Sequence, residues 1–169
     1  MSTEAAATAD SDAVREVHRR FLTGVTVVTT MDGSVPRGLA VNAFCSVSLE
    51  PPTVLISVQQ TSSTYPALLT AEHLAINILA TDQLDVAKVF ASKRTDKFDA
   101  ISWRPGPHGC PLLDGSSASV EIAIEQLLRA STHTVFVGRV VEARHTDTAP
   151  LIYQAGQFFD SGDLRPLDD

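Results

Sequence analysis

At 169 residues, with 44% hydrophobic and 20% charged side chains, the chain is long enough for one globular domain with a sizeable core. A formal net charge of −7 argues against a nucleic-acid partner, because phosphate backbones are held by clustered Lys and Arg. No apolar run approaches the roughly 20 residues of a membrane span, and the opening MSTEAAATADSD has neither the basic nor the apolar segment of a secretion signal, so a cytoplasmic location is expected.

Residues 1–9 are small and polar and are expected to be a disordered tail, with a single domain over 10–160. Ser11 or Asp12 is suited to cap a helix in which Val14, Val17, His18 and Phe21 form one stripe at i, i+3, i+4 and i+7. Thr23 to Thr30, rich in β-branched residues, reads as a first strand, and Asp32-Gly33 as a hairpin turn.

The stretch from Arg37 to Thr64 organises the rest of the chain. Leu39, Val41, Ala43, Cys45, Val47 and Leu49 are apolar, while Ala40, Asn42, Phe44, Ser46 and Ser48 are mixed, the two-residue period of a strand. The first set is expected to face the core and the second either water or a flat polar ligand. At roughly 3.3 Å per residue so long a strand would span about 40 Å, so a bend or bulge is expected near Phe44 to Ser46. Pro51-Pro52 ends the run, and Thr53 to Gln59 begins another strand.

Ser62-Ser63-Thr64 precedes Tyr65-Pro66-Ala67, with Pro66 where a first helical turn tolerates it. Hydroxyls at such a turn suit either a phosphate or an ordinary cap. His73 to Leu79 is a strand, and Thr81 or Asp82 caps a helix running through Phe90. Next, Lys93, Arg94 and Lys97 concentrate positive charge in an acidic chain. A solvated loop accounts for them, and an anionic cofactor accounts for them better if the loop folds toward Ser62-Ser63-Thr64.

Ile101 to Asp114, with three prolines and two glycines, is expected to be largely loop. Its His108 and Cys110 lack a third ligand at useful spacing, so no metal site is expected. Cys45 and Cys110 show no CxxC spacing and read as small apolar residues rather than a disulfide. Ala118 to Ile124 alternates, His133 to Arg144 is a long strand whose Gly138 hints at a bulge or close backbone approach, and Leu151 to Phe159 adds a short strand or turn. Residues 161–169 are expected to fray. Six or seven strands without βαβ alternation, and with no GxGxxG or GxxxxGK[ST], favour a mainly β, antiparallel barrel over a doubly wound nucleotide fold.

Four segments then carry a resemblance: Gly24 to Thr30, Gly38 to Pro52 (GLAVNAFCSVSLEPP), Phe90 to Phe98, and His133 to Val140 (HTVFVGRV). In this order and spacing, over about Val17 to Phe159, the chain resembles the short-chain flavin reductases, the reductase components of two-component flavin monooxygenases, which share the FMN-binding split β-barrel with a few short peripheral helices. The resemblance implies that Asn42, Ala43, Phe44, Cys45 and Ser46 line the flavin ring, largely through backbone groups. It implies that Ser62, Ser63 and Thr64 meet the flavin phosphate, and that Lys93, Lys97 and Phe98 close over that end. His133 would stand beside the nicotinamide, with Tyr153 and Phe158 near the dinucleotide. The family usually has Gly-Asp-His where this chain has Ser131-Thr132-His133, so Thr132 could replace the acid only by a neutral hydrogen bond.

By the same resemblance the activity is NAD(P)H:flavin oxidoreduction, with FAD (or FMN) and NADH (or NADPH). Hydride transfer belongs to the cofactors, and no residue acts as acid or base. A homodimer is implied, and a separate flavin-dependent oxygenase or halogenase that receives the reduced flavin. A non-enzymatic flavin- or haem-binding split barrel, for which Thr132 is the best argument, and an oxidase of the pyridoxamine-phosphate type are alternatives on the same fold.

Overall fold

The computed structural model describes residues 8–167, so the expected disordered tail lies mostly outside the described residues. The chain is mainly β. Its largest sheet is built from β2 (Thr26–Asp32), β3 (Val35–Val41), β4 (Phe44–Leu49), β5 (Pro52–Gln59), β6 (His73–Ile78), β9 (Ala118–Ala130) and β10 (His133–His145). These seven strands lie in the order β3-β2-β6-β9-β10-β5-β4, every neighbouring pair antiparallel. A smaller sheet joins β1 (Thr23–Gly24) to the hairpin of β11 (Leu151–Gln154) and β12 (Gln157–Asp160).

The long strand expected after Arg37 is two strands. It breaks at Asn42–Ala43, just before the expected bend, and β4 carries a second irregularity between Ser46 and Ser48. β3 and β4 are the two edges of the seven-stranded sheet although two residues join them, and the hydrogen-bond ladder stops at each. The break also resets which side chains face inward. Val41 is buried and Phe44 packs against the core, while Cys45, Val47 and Leu49, expected in the core, are exposed. Alternation holds only within one uninterrupted strand, and the turn between two edges starts a new phase.

β2 shows why the sequence around Thr23 to Thr30 is apolar without alternating. Val27 and Val28 point to opposite faces and both are fully buried, one in each of two core clusters. Its buried threonines are satisfied by backbone carbonyls: Thr26 Oγ1 donates to Val41, Thr29 Oγ1 to Pro111 at 2.6 Å and Thr30 Oγ1 to His73 at 3.0 Å. The expected Gly138 irregularity is present as a register shift. A Cβ there would stand 2.7 Å from the Ala123 carbonyl oxygen, so only glycine lets β10 lie this close to β9.

Three α-helices are found among the described residues. α1 (Ser11–His18) is capped by Asp10, one residue before the expected caps, and the stripe of Val14, Val17 and Phe21 is exposed. α2 (Tyr65–Thr70) begins after Thr64 with Pro66 in its first turn, as expected. α3 (Leu84–Ala91) starts after Gln83 rather than at Thr81 or Asp82, and ahead of it Gln83 N closes a turn onto the Ala80 carbonyl at 2.9 Å while its Nε2 donates to the Asp114 carbonyl at 2.8 Å.

The segment expected to be loop, Ile101 to Asp114, contains a hairpin of β7 (Trp103–Pro105) and β8 (Pro111–Leu113). Side chains from other elements hold it: Asn77 Oδ1 accepts from Leu113 N at 2.9 Å, and the fully buried Glu121 carboxylate accepts from His108 N and Cys110 N. Prolines inside a short edge hairpin cost no ladder bond that the core needs. Burial, then the nearby Glu121, pushes the Cys110 thiol up to about 12. Beyond β12, Ser161–Asp163 form a 3₁₀ turn capped by Asp160, so irregular chain begins at Leu164 rather than Ser161. No helix among the described residues is long and apolar enough to cross a membrane.

Candidate functional site

Gly38 on β3 is where the site is assembled. Its carbonyl accepts from Thr64 Oγ1 at 3.0 Å and from Lys97 Nζ at 3.3 Å, so the turn before α2 and the basic segment after α3 converge on one backbone atom. Lys97 Nζ also donates to the Phe90 carbonyl at 3.0 Å, and burial lowers the Lys97 pKa from its ordinary 10.5. Such an ammonium sits closer to its neutral form than a solvated lysine does, and an anion brought near it would favour the charge.

A small cleft of about 40 Å³ opens beside Gly38, lined by Arg37, Ser63, Thr64, Arg94, Thr95 and Lys97 among others. The basic loop thus folds toward the hydroxyl turn, the arrangement that favours an anionic ligand over a solvated loop. Arg37 and Arg94 are each held by a carboxylate, Asp32 at 3.2 Å and Asp96 at 2.8 Å. The Arg94 guanidinium holds the Asp96 carboxyl at about 2, well under its usual value. These exposed pairs contribute little to stability and leave guanidinium groups oriented at the cleft mouth.

The expected phosphate residues divide by role. Ser63 is exposed in the cleft, Ser62 Oγ accepts from Thr64 N at 3.3 Å, and the Thr64 hydroxyl proton is spent on Gly38, which leaves Thr64 a structural clamp. Phe98 lines the cleft and meets Phe90 and Trp103 edge to face at 5.1 and 5.8 Å, while Lys93 is exposed and outside the cleft lining.

Four residues beyond Gly38 comes the Asn42–Ala43 bend, with both residues exposed. Its backbone is fixed by Phe44 N donating to Asn42 O at 2.9 Å and by Ser57 N donating to Ala43 O at 3.0 Å. Of the five residues expected to line a flavin ring, Phe44 turns inward and Asn42, Ala43, Cys45 and Ser46 stay exposed.

His133 opens β10, opposite Gln59 of β5, three residues along from Ile56, which faces Phe44. Its Nδ1 lies 2.9 Å from Thr132 Oγ1, the neutral hydrogen bond that the missing acid left as the only option. Tyr153 and Phe158 are brought together, edge to face at 5.3 Å, on the β11–β12 hairpin, in a different sheet from His133. They pack with Phe98 against one core cluster.

Residues 18–162 match the flavin reductase like domain family, a span that takes in nearly all of the described fold and every residue of the site. The chain belongs to that family. Relatives named as flavin reductases or as reductase components are 34–40% identical over 147–155 aligned residues. One is the FMN reductase (NADH) SmoA of Agrobacterium fabrum, 39% identical over 88% of this chain and 85% of its own length. Another is the NADH-dependent FAD reductase of Streptomyces globisporus, 38% identical over 86% of this chain and 82% of its own. The solved structure of the Streptomyces globisporus NADH:FAD oxidoreductase SgcE6 superposes with a TM-score of 0.84 at 35% identity, covering 100% of this chain and 97% of that one. The chain spans about half the length of two other curated relatives, such as the reductase component of the trigonelline monooxygenase of Acinetobacter baylyi, of which it covers 47% at 40% identity.

For a flavin reductase domain, the cleft residues unread in the sequence are Arg37 and Thr95, while Arg94 is read there only as part of the positive cluster. Arg37 begins the long alternating stretch, and nothing local to it shows that it borders the cleft. The charge concentration around Arg94 was visible, but its choice of Asp96 as partner was not.

Proposed function

We propose that this chain is an NADH-dependent flavin reductase of a two-component system, delivering reduced FAD or FMN to a separate oxygenase or halogenase. The observation that carries the reading is the convergence of Thr64 and Lys97 on Gly38 beside a cleft with Ser63, Arg37 and Arg94, in a chain of net charge −7. A phosphate fits this set, since charge-assisted bonds from guanidinium and ammonium groups are the strong ones. From that end the exposed Asn42–Ser46 bend would carry the ring, with His133 holding the nicotinamide. When bound, flavin and dinucleotide supply the hydride chemistry, while the chain's residues bind, orient and exclude water. Thr132 fixes which imidazole nitrogen of His133 is free to meet the dinucleotide.

The split barrel is inferred from connectivity: two residues join the opposite edges β3 and β4, so the sheet must curl until those edges meet. A homodimer is inferred from exposed apolar side chains, Val14 and Val17 on α1, Phe21 just beyond it, and Val47 and Leu49 on β4, which a second copy would cover. The test is NADH oxidation by the purified chain. It is expected to rise with added FAD or FMN well above the rate of free flavin with NADH. No rise with either flavin, using NADH or NADPH, overturns the proposal.

A further inference from the structure

The loop that presents His133 is a two-residue hairpin, Ser131-Thr132, between β9 and β10, and Ser131 adopts a left-handed φ of +52° that non-glycine residues avoid. One residue outside the hairpin bonds this tip: Gln60 N donates to the Thr132 carbonyl at 3.0 Å, and Gln60 Nε2 lies 3.0 Å from the His133 carbonyl and 3.4 Å from that of Ser131. Three successive carbonyls of the tip therefore end on Gln60. The same Nε2 lies 3.4 Å from Thr134 Oγ1, a buried hydroxyl 2.8 Å from that of Tyr65. Tyr65 comes directly after the Ser62-Ser63-Thr64 turn and is pinned to it by Tyr65 N donating to Ser62 O at 3.1 Å.

We propose that Gln60 is a positioning residue for His133: it fixes the hairpin tip, and through Thr134 and Tyr65 registers that tip against the turn bordering the anion cleft. The inference rests on the reading of His133 as the nicotinamide contact. The carboxamide suits the place, because its two N–H bonds can serve the Ser131 and His133 carbonyls together, and a carboxylate of the same shape would repel both. Gln60 itself touches neither flavin nor dinucleotide and acts through His133.

The experiment compares Gln60→Leu, Gln60→Glu, His133→Ala and the double variant Gln60→Leu/His133→Ala, each assayed for KM(NADH), kcat and flavin affinity. Gln60→Leu and Gln60→Glu are expected to raise KM(NADH) about fivefold or more, with kcat and flavin affinity within about twofold, and Gln60→Leu is expected to add nothing once His133 is alanine. In the protein without cofactors, the imidazole NMR signals of His133 are expected to shift or broaden in Gln60→Leu, while those of His18, His73, His108 and His145 stay in place. If His133→Ala raises KM(NADH) but the Gln60 variants do not, or their effect persists in full without His133, or the His133 ring signals are unmoved, Gln60 is merely structural and the inference falls alone. If His133→Ala leaves KM(NADH) unchanged, the nicotinamide reading falls and the inference with it.

Discussion

Lys97→Met is expected to weaken flavin binding by about 10- to 100-fold while kcat at saturating flavin stays within about threefold. The range comes from one charge-assisted hydrogen bond, about 1.5–3 kcal/mol, at 1.4 kcal/mol per tenfold. Methionine keeps the length and most of the volume of the lysine stem, so packing against Phe90 survives. Two buried carbonyls lose a donor, but Gly38 O retains Thr64 Oγ1. Fluorescence titration of flavin into wild type and variant measures the change. A pH series adds the sign: burial lowers the Lys97 pKa, so the ammonium is lost below its ordinary 10.5, and wild-type flavin affinity is expected to fall on the alkaline side before that value. Lys97→Met should lack that limb. An unchanged affinity in the variant would remove Lys97 from the anion site.

Gly38→Val is expected to lower the melting temperature by about 2–12 °C and to weaken flavin binding at the same time. A Cβ on Gly38 would stand 2.7 Å from Phe90 Cε1 and 3.2 Å from Phe98 Cζ. Phe90 is 1% exposed and has nowhere to move. Overpacking of this kind costs about 1–3 kcal/mol, and a domain of this size loses about 2–4 °C per kcal/mol. If β3 shifts to relieve the clash, the carbonyl that collects Thr64 and Lys97 shifts with it, and that links stability to binding. Gly24→Ala is the control, since nothing lies within 4 Å of the added carbon. Thermal unfolding that ranks the two variants equally would show that the close approach at Gly38 is not what the position requires.

Most of the elements were legible because period and punctuation are local. β-branched runs marked β2, β5 and β10, Pro66 marked α2, and Gly138 marked the irregularity in β10. What failed was whatever depended on a distant partner. Nothing local says that β3 and β4 belong to opposite edges of one sheet, so the phase reset at Asn42–Ala43 was missed and Cys45, Val47 and Leu49 were expected inside. The hairpin within Ile101 to Asp114 is held by Asn77 and Glu121 from other strands, while its own prolines and glycines point to loop.

The site divides in the same way. Ser63, Lys97 and Phe98 could be grouped from residue type and resemblance, and the structure brings them to one cleft. Arg37 and Gln60 could not, because the cleft beside Arg37 is lined from distant segments and the carbonyls that Gln60 meets lie some 70 residues away. Thr132 stood out as a departure from the expected acid. Only the 2.9 Å distance to Nδ1 turned that departure into a hydrogen bond.

The central claim is that the cleft beside Gly38 holds the phosphate end of a flavin. FMN and riboflavin differ by that phosphate alone, so a comparison of their dissociation constants at one pH and modest ionic strength tests it most directly. FMN is expected to bind at least about tenfold tighter than riboflavin in wild type, as one charge-assisted contact implies, with the gap largely closed in Lys97→Met. Equal affinities for FMN and riboflavin in the wild-type protein would contradict it.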